Sequence, residues 1–465
     1  MQALVAAVVL GAVAAGCVSG PDPWRAVRDP SDAGWDADAL ERARAHAEEI
    51  GSSAVVVIDN GAVIAAWGDV DRPMPARSIR KALYGALFGI AASDGEIDVG
   101  VMLGGLGIDD VGGLSERERT ATVMDLLAAR SGVYHPAAYE SASNAARRPE
   151  RGSAAPGERW YYNNWDFNAL PSIYERVTGR SVAEDVALRL AGPLGFEDFD
   201  PRLDVFEWLE PSTSEHAAVC FRVSARDLAR LGACYLRGGD GIVPEAWIER
   251  SITAVTRFER GHYGGAGNGY GLLWWVYPGE PDAPRAWDRV DHPAALGAGG
   301  QALFLVPEHD VAIVHLCDTP RDEALSDGQV DALAAMIWDA RRGSDHDEPA
   351  LGPVRVEALG APRGVVREPW QAPDARRRAA LAGRYAVRGP GFALEIYEHG
   401  GRLFARPDAP GMVELELFVR PGDPGGPLFH PWERLIVEPV VGEDGVARAL
   451  RLETPRGPLV ADRSG

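Results

Sequence analysis

A serine and the only lysine of this chain lie three residues apart, in the segment Ser78-Ile79-Arg80-Lys81. All other members of the chain's 47 Lys and Arg residues are arginine. A buried lysine can lose its proton, whereas an arginine stays protonated at any usable pH. If Ser78 begins a helix, Lys81 lies on the same face one turn later and can help to remove the serine proton. The pair therefore predicts a nucleophilic serine.

The residues around and after Ser78 predict a mostly buried helix. Apolar side chains recur there at helical spacing: Ile79, Ala82, Leu83, Ala86, Leu87 and Ile90. Gly85 and Gly89 would let a neighbouring backbone approach the Lys81 face. Arg80 points roughly opposite Ser78, so we expect it to be the solvent-exposed charge. The alternative is an ordinary solvated lysine, since most lysines lie at the surface.

A Ser/Lys pair needs a second proton-handling group, and the segment 156–165 contains a candidate. A tyrosine close to an ammonium ionises more easily and can serve as the base. Two frames fit, Tyr161-x-Asn163 and Tyr162-x-Asn164, in which the amide would hydrogen-bond the lysine or the substrate. A packed aromatic loop without a catalytic role is the alternative interpretation.

The pair also needs an oxyanion hole, which we expect from the Ser78 N–H and an N–H at a sheet strand. The segment 297–300, Gly-Ala-Gly-Gly, directly precedes a predicted strand. Its glycines would let a substrate pack against the backbone. Taken alone this motif is unspecific, because glycine-rich turns are common.

Two predicted strand pairs lie at the two ends of the region that carries these motifs. Asn60-Gly61 is a strong two-residue hairpin turn and joins the first pair. The predicted strands cover residues 53–59, 62–68, 301–306 and 311–317.

The middle of this region is mostly helical. Capping sequences with Asp in place of Glu begin two of its helices, Thr122-x-x-Asp125 and Ser224-x-x-Asp227. Ser326-x-x-Gln329 caps a further helix after the second strand pair. We therefore expect an α/β (α+β) fold, with one antiparallel sheet built from both ends and flanked by helices. The site would lie between this sheet and an inserted helical lobe.

The composition is that of a globular protein, with 46% hydrophobic and 25% charged residues. The net charge of −21 argues against nucleic acid and against an anionic lipid surface as partners. The cysteines and histidines show no metal-ligand spacing, so we expect neither a metal nor a cofactor. Apart from Cys17, we expect the cysteines to be buried free thiols, with one disulfide as the alternative in an oxidising compartment: Cys220, Cys234 and Cys317.

The first residues predict export. Residues 4–15 form an apolar run that is too short to span a bilayer but suits the core of a signal peptide. The segment ending in Gly16-Cys17 resembles the lipobox of bacterial lipoproteins, in which the cysteine is lipidated. We therefore expect a signal peptide at 1–17, a tether at 18–34 and a place in the bacterial cell envelope through a lipid anchor on Cys17. An ordinary secretory signal with a chance cysteine is the alternative.

In their order and spacing, the chemical motifs resemble those of the serine β-lactamase-related family. This family comprises class C β-lactamases, D-Ala-D-Ala carboxypeptidases and related esterases and amide hydrolases. Its Ser-x-x-Lys motif matches Ser78 and Lys81. Its Tyr-x-Asn motif is similar to Tyr162 and Asn164, because the family places this tyrosine six residues after a proline, here Pro156.

The resemblance covers about residues 35–342 and implies a catalytic domain with the β-lactamase/transpeptidase-like fold. Within it, the segment 125–132 is similar to the family's Leu-Leu…Ser-Gly segment. Residues 343–375 are rich in Pro, Ala, Gly, Asp and Arg, which predicts a linker. Residues 376–465 predict a small all-β domain, a barrel that resembles the lipocalin-like extensions of some members and would pack near the catalytic domain.

The resemblance also implies a role for each site residue. Ser78 would attack a carbonyl carbon and form an acyl-enzyme. Lys81 and Tyr162 would pass the proton, and Asn164 would orient them. The N–H groups of Ser78 and Ala298 would hold the oxyanion, and water would release the acid.

One motif of the family is missing. On the strand beside the site the family usually has Lys or His, then Thr or Ser, then Gly, whereas the aligned residues here are Ala295-Leu296-Gly297. Gly297 is retained at the expected substrate position, but the cation and the hydroxyl that grip a substrate carboxylate are absent. Their absence points to small neutral esters or amides rather than β-lactams or D-Ala-D-Ala peptides. His292 is a candidate substitute for the cation, with an ordinary turn histidine as the alternative.

The sequence therefore predicts a serine hydrolase whose partner is a small-molecule ester or amide, with membrane contact only through the lipid anchor. The alternative is a non-catalytic binding or sensor protein of the cell envelope on the same fold. An unrelated α/β-hydrolase would carry Gly-x-Ser-x-Gly, and no serine of this chain lies in that pattern.

Overall fold

The predicted strands around Asn60-Gly61 form a hairpin inside a ten-stranded sheet. In chain order, the strands of the N-terminal domain are β1 (Arg25–Val27), β2 (Ala54–Asp59), β3 (Ala62–Gly68), β4 (Met74–Pro75), β5 (Val205–Trp208), β6 (Ala218–Val223), β7 (Thr256–Arg257), β8 (Gly269–Tyr270), β9 (Trp275–Val276), β10 (Ala294–Gly297), β11 (Gln301–Val306), β12 (Val311–Leu316) and β13 (Leu351–Pro353). The large sheet has the order β13-β1-β3-β2-β12-β11-β10-β9-β8-β7, and β4, β6 and β5 form a separate small sheet.

This computed structural model describes residues 24–259, 267–318, 325–343, 349–360, 371–409, 414–420, 422–430, 435–454 and 457–464. Cys17 lies outside the described residues, together with the predicted signal peptide, lipobox and start of the tether. Among the residues that the structure describes, no helix combines the length and the apolar character needed to cross a membrane.

Helices cover the sheet and build the lobe between its two halves. They are α1 (Ala37–Ile50), α2 (Arg80–Ser93), α3 (Leu103–Leu106), α4 (Val123–Leu127), α5 (Ala142–Ala145), α6 (Asn164–Thr178), α7 (Val182–Asp185), α8 (Gly192–Leu194), α9 (Pro201–Asp204), α10 (Ala225–Leu236), α11 (Glu245–Ile252), α12 (Asp327–Asp339) and α13 (Ala375–Leu381). α10 packs on β2, β11 and β12, and α1 packs on α12. Every residue of β2 and β12 is buried, so the middle of the sheet is covered on both faces.

The helix that follows Ser78 is enclosed by the fold. All residues of α2 from 80 to 91 are buried, against α6, α11 and β6. The two glycines of this helix allow the close contact, as predicted, although the approaching groups are side chains rather than backbone. A Cβ atom on Gly89 would lie 2.3 Å from the Trp247 ring, and one on Gly85 would lie 3.2 Å from Leu273.

The sheet extends into segments for which the sequence predicted a tether and a linker. β1 and the 3-10 turn Pro30–Ala33 lie within residues 18–34, and β13 lies within residues 343–375. β1 pairs antiparallel with β13 and parallel with β3, so the sheet is mixed rather than wholly antiparallel. Three-residue strands carry too little periodicity to be recognised from sequence. Their pairing partners also lie far away in the chain.

Local signals for helix starts are mostly confirmed. Thr122 and Ser326 begin α4 and α12 with complete capping boxes. Ser224 caps α10, but the Asp227 carboxylate accepts a hydrogen bond from the Glu197 N–H at 2.8 Å instead of closing the box. The predicted box at Asp227 is therefore wrong, because a distant loop supplies a competing donor.

The prediction of buried thiols is confirmed, because Cys220, Cys234 and Cys317 are buried and form no disulfide with one another. Burial raises the pKa of the Cys234 thiol to about 12, which keeps this thiol protonated and unreactive at neutral pH. In the described part of the chain, no group of three or more His, Cys, Asp or Glu side chains is arranged to hold a metal ion.

The C-terminal domain is a nearly closed barrel of antiparallel strands. These strands are β14 (Gly383–Val387), β15 (Ala393–His399), β16 (Arg402–Pro407), β17 (Leu415–Leu417), β18 (Leu428–His430), β19 (Leu435–Val441), β20 (Ala447–Thr454) and β21 (Gly457–Ser464). Their order is β17-β16-β15-β14-β21-β20-β19-β18, and a bridge between Phe418 and Phe429 brings the two edges together. The prediction of an all-β barrel is confirmed, while the lipocalin-like resemblance stays a prediction.

The barrel packs on the N-terminal domain beside β5. Phe418 contacts Phe206 edge-on with ring centroids 5.4 Å apart, and the His430 ring lies 4.6 Å from the Trp208 ring. These aromatic side chains are buried. The two domains therefore share an interface with buried aromatic side chains and are not joined by the connecting segment alone.

Candidate active site

The structure brings Ser78 and Lys81 into contact. Ser78 lies in the 3-10 turn Arg77–Ile79, which runs directly into α2. Lys81 Nζ donates a hydrogen bond to Ser78 Oγ over 2.8 Å. The lysine is 2% exposed, and its nitrogen lies 4.6 Å from the centre of the Phe167 ring. The prediction of one helical turn that joins a hydroxyl and an amine in a sheltered place is confirmed in its geometry.

The surroundings of Lys81 favour its neutral form. Burial lowers the pKa of its ammonium well below the ordinary value, and the neighbouring Arg80 charge lowers it further. A neutral amine has a lone pair with which it can accept a proton. At 2.8 Å, the group within reach is the Ser78 hydroxyl.

Arg80 is a buried structural residue, so its prediction as the solvent-exposed charge is wrong. It is 2% exposed, donates from Nη2 to Asn168 Oδ1 at 2.9 Å and donates from Nη1 to the Val219 carbonyl at 3.0 Å. These bonds tie α2 to α6 and β6. The prediction failed because α2 has no solvent-facing side along this stretch.

The structure separates the two tyrosine frames. The Tyr162 hydroxyl forms a hydrogen bond with Ser78, and the Lys81 nitrogen lies 4.9 Å from the Tyr162 ring centre. The Tyr161 hydroxyl instead donates to the Asn144 carbonyl at 2.8 Å, and Asn163 caps α6. The frame that contains Tyr162 therefore faces the serine, and the other one stabilises the loop.

Tyr162 keeps its proton at neutral pH. Burial raises the pKa of this phenol to about 12, and the hydrogen bond with Ser78 offsets only part of that rise. The expectation that a nearby ammonium would help the tyrosine to ionise is therefore wrong, because the buried lysine itself favours its uncharged form. Of the two groups, the lysine is the better proton acceptor.

Asn164 is close to the site but does not contact the lysine. It is the first residue of α6 and is 9% exposed. Its side-chain amide makes no hydrogen bond with another residue in the described part of the chain. The predicted role in orienting Lys81 thus has no counterpart in the structure, and the amide faces no competing protein partner there.

The expected oxyanion hole has a suitable backbone. β10 passes so close to the turn before α2 that a Cβ atom on Gly297 would lie 2.7 Å from the Ala76 carbonyl oxygen and 3.0 Å from the Arg77 Cβ. Only glycine fits at this position. Ala298 follows in an exposed turn, and its N–H makes no hydrogen bond with another described residue.

The missing third motif is not replaced by His292. This residue is 2% exposed and lies between two aromatic rings, with centroids 4.1 Å from Trp287 and 4.7 Å from Tyr277. Its Nδ1–H donates to the Val290 carbonyl at 2.8 Å, and burial lowers its pKa to about 4. The histidine is therefore neutral and enclosed, and the candidate substitution is wrong.

A buried carboxyl that sequence reasoning missed holds the tyrosine loop. Asp166 is fully buried and accepts hydrogen bonds from Ser131 Oγ and from the Asn163 amide. Burial raises the pKa of this carboxyl well above its usual range. An acidic residue in the first turn of a helix is ordinary, so no sequence signal separated Asp166 from a simple cap.

Aromatic side chains pack against the Tyr162 ring. The Trp275 ring stacks on the Tyr162 ring with centroids 5.2 Å apart and an interplanar angle of 14°. Trp160 and Tyr270 contact the same Trp275 ring. Aromatic rings therefore line the Tyr162 side of the site.

A family model and several solved structures are similar to this chain. The sequence model of the beta-lactamase family matches residues 37–336. No curated protein matches the chain. Among solved structures, the chain is similar to SurE, with 20% identity over 92% of this chain and 99% of that chain and a TM-score of 0.49.

Two further solved structures are similar to the chain. One is an octameric penicillin-binding protein homologue from Pyrococcus abyssi, with 15% identity, 91% of this chain and 98% of that chain covered, and a TM-score of 0.48. The other is EstCE1, described as a hydrolase with promiscuous acyltransferase activity, with 17% identity, 68% and 99% coverage and a TM-score of 0.47. Because the family model spans more than half of its length, this chain belongs to the beta-lactamase family.

Proposed function

We propose that this chain is a serine hydrolase that acts through an acyl-enzyme on a small neutral ester or amide. The observation that carries the proposal is the 2.8 Å hydrogen bond between Ser78 Oγ and the buried Lys81 Nζ. Burial and the Arg80 charge lower the pKa of this lysine, so the amine can take the serine proton. Members of the beta-lactamase family are serine hydrolases, which agrees with this reading.

In the acylation step, Ser78 Oγ forms a bond to the substrate carbonyl carbon while its proton moves to Lys81 Nζ. The carbonyl oxygen becomes an oxyanion that the N–H groups of Ser78 and Ala298 would stabilise. The bond to the leaving group then breaks. Tyr162 donates its proton to the leaving oxygen or nitrogen and recovers a proton from the Lys81 ammonium.

In the deacylation step, a water molecule attacks the carbonyl carbon of the ester on Ser78. The neutral Lys81 amine takes the proton of the water, and a proton returns to Ser78 Oγ through the Tyr162 hydroxyl as the acid leaves. Asn164, whose amide has no competing partner among the described residues, would orient the substrate rather than the lysine. The cycle needs no metal and no cofactor.

The preference for neutral substrates rests on the strand beside the site. Ala295 and Leu296 are buried aliphatic residues at the place of the family's cation and hydroxyl, and His292 is neutral and enclosed. The aromatic residues around Tyr162 also favour apolar over charged groups. A substrate carboxylate would gain little here, which disfavours β-lactams and D-Ala-D-Ala peptides.

A substrate panel tests this proposal on the purified wild-type protein. We expect hydrolysis of p-nitrophenyl butyrate, a fluorophosphonate adduct on the peptide that contains Ser78, and turnover of a chromogenic cephalosporin or a D-Ala-D-Ala peptide at least about a hundredfold slower in kcat/KM. Faster turnover of the cephalosporin than of every ester would overturn the substrate class. The absence of both hydrolysis and labelling would favour the alternative of a non-catalytic binding protein. The missing third motif is the observation that supports this alternative.

The two adjacent tyrosines offer a matched comparison. Tyr162→Phe removes the phenol that contacts Ser78, and we expect kcat to fall by about 10²-fold or more. Tyr161→Phe removes a hydrogen bond to the Asn144 carbonyl, which should lower stability by about 1 kcal/mol. Its kcat should stay within about threefold of wild type. Steady-state kinetics and urea unfolding of both variants decide the matter, and equal losses of kcat would contradict the role of Tyr162.

A further inference from the structure

The turn that carries Ala298 is held from beneath by buried polar side chains. We call residues 298–300 the oxyanion loop, which joins β10 to β11. Gly299 and Gly300 both have left-handed backbone angles, with φ of 88° and 89°. A Cβ atom on Gly300 would lie 2.9 Å from the Leu325 Cβ, so the loop is pressed against the domain.

His315 on β12 is the first of these buried groups. Its Nδ1–H donates to the Gly300 carbonyl, and its Nε2 accepts a hydrogen bond from Ser52 Oγ at 2.8 Å. A carbonyl can only accept, so this pair of bonds requires one neutral tautomer of the ring. The side chain is 1% exposed, and burial lowers its pKa to about 4, so that tautomer persists at neutral pH.

Gln301 fixes the carbonyl of Gly299, one residue before Gly300, in the same way. Its side-chain amide donates to the Gly299 carbonyl at 3.4 Å and also to the Cys317 carbonyl. Its side-chain oxygen accepts from the Cys317 N–H at 3.1 Å. Two successive carbonyls of the oxyanion loop are therefore bonded inward to the sheet, which fixes the backbone of Ala298 relative to Ser78.

We propose that His315 is a positioning residue for the oxyanion loop and that Ser52 assists it by fixing the tautomer of the ring. This inference rests on the proposed function. Donors of an oxyanion hole act mainly on charge that develops in the transition state, so a small displacement of the Ala298 N–H lowers kcat more than it raises KM. Neither His315 nor Ser52 touches the substrate in this arrangement.

The test compares two buried histidines of the same domain. His315→Phe keeps the ring shape but removes both hydrogen bonds. His292→Phe removes a similar buried neutral histidine with one hydrogen bond to the Val290 carbonyl, away from the oxyanion loop. With p-nitrophenyl butyrate, we expect kcat of His315→Phe to fall by roughly 10- to 100-fold with KM within about threefold. His292→Phe should keep kcat within about threefold, although both variants melt at lower temperature than wild type.

Inhibition by phenylboronic acid gives a readout that general destabilisation would not move. The boronate forms a tetrahedral adduct on the serine, so its Ki should rise in His315→Phe in parallel with the loss of kcat and stay near wild type in His292→Phe. Ser52→Ala should show a smaller change in the same direction, because the ring can then move its hydrogen to Nε2. This variant decides the question if His315→Phe does not fold.

The outcomes separate this inference from the proposed function. Equal kcat and equal boronate Ki in the two histidine variants, or an effect of His315→Phe on KM alone, would overturn the positioning role and leave the hydrolase intact. A wild-type protein that neither hydrolyses the ester nor binds the boronate would overturn both.

Discussion

Replacing Ser78 with alanine is expected to lower kcat for p-nitrophenyl butyrate by about 10⁴-fold or more and to abolish labelling by a fluorophosphonate. Ser78 Oγ receives the Lys81 hydrogen bond and also contacts the Tyr162 hydroxyl. Its removal therefore takes away the atom that forms the acyl bond and leaves the proton carriers without a partner. The serine is only half-buried, so we expect the melting temperature to change little.

Ser172→Ala is the control for this experiment. Ser172 lies on α6 and forms a hydrogen bond with His216 Nδ1 at 3.0 Å, in the same domain but outside the proposed machinery. Its loss should leave labelling complete and kcat within about threefold. Intact-mass spectrometry and ester kinetics check both variants. A Ser78→Ala protein that still takes up the probe stoichiometrically would show that another residue is the nucleophile.

Changing Lys81 to arginine should damage turnover nearly as much as changing it to alanine, by about 10³-fold or more in kcat for both. The nitrogen of Lys81 lies 4.9 Å from the Tyr162 ring centre and 4.6 Å from the Phe167 ring centre, so a larger guanidinium would press against these rings. An arginine would also keep its proton and could not accept one from Ser78. Near-normal turnover by Lys81→Arg would contradict the proposed role of the lysine.

The pH dependence follows from the lowered pKa of Lys81. Protonation of the amine removes its lone pair, so kcat/KM of the wild type should fall as the pH drops through the lowered folded-state pKa. A pH–rate profile on a neutral ester measures this limb. A rate that rises toward acid pH would show that the ammonium is the active form.

The same shift makes a prediction about stability with a definite sign. The pKa of Lys81 is lower in the folded than in the unfolded protein, so the unfolded state binds more protons between the two values. The free energy of unfolding should therefore increase as the pH rises from the folded-state pKa to the unfolded-state pKa of this lysine. Lys81→Met fills a similar volume without the titrating amine, so it should be more stable than wild type at pH 7 while inactive.

Urea unfolding at several pH values tests this point. We expect the advantage of Lys81→Met to shrink as the pH rises toward the ordinary pKa of lysine. A constant difference between the two proteins would mean that the lysine is charged in the folded state. A buried amine that lowers stability but is needed for activity is typical of active sites.

The sequence by itself determined the features whose cause is local. Ser78 and Lys81 meet because residues three apart on a helix share a face, whatever surrounds them. Asn60-Gly61 makes a hairpin because both residues accept left-handed backbone angles, with φ of 50° and 73°. Thr122 begins a helix because its own side chain accepts from an N–H three residues later. The all-β C-terminal domain was predictable for the same reason, from alternation along each strand.

Tertiary structure alone decided the features that depend on distant neighbours. Arg80 is buried because α6 and β6 close over it, and spacing along its own helix could not reveal that. Tyr162 holds its proton and His292 loses the ability to carry one for a common reason, which is enclosure by aromatic side chains from other elements. The free energy of a charge depends on every atom around it, most of which come from remote parts of the chain. The sequence therefore identifies the candidate reacting groups. Only the packed fold determines their protonation and the position of the oxyanion loop.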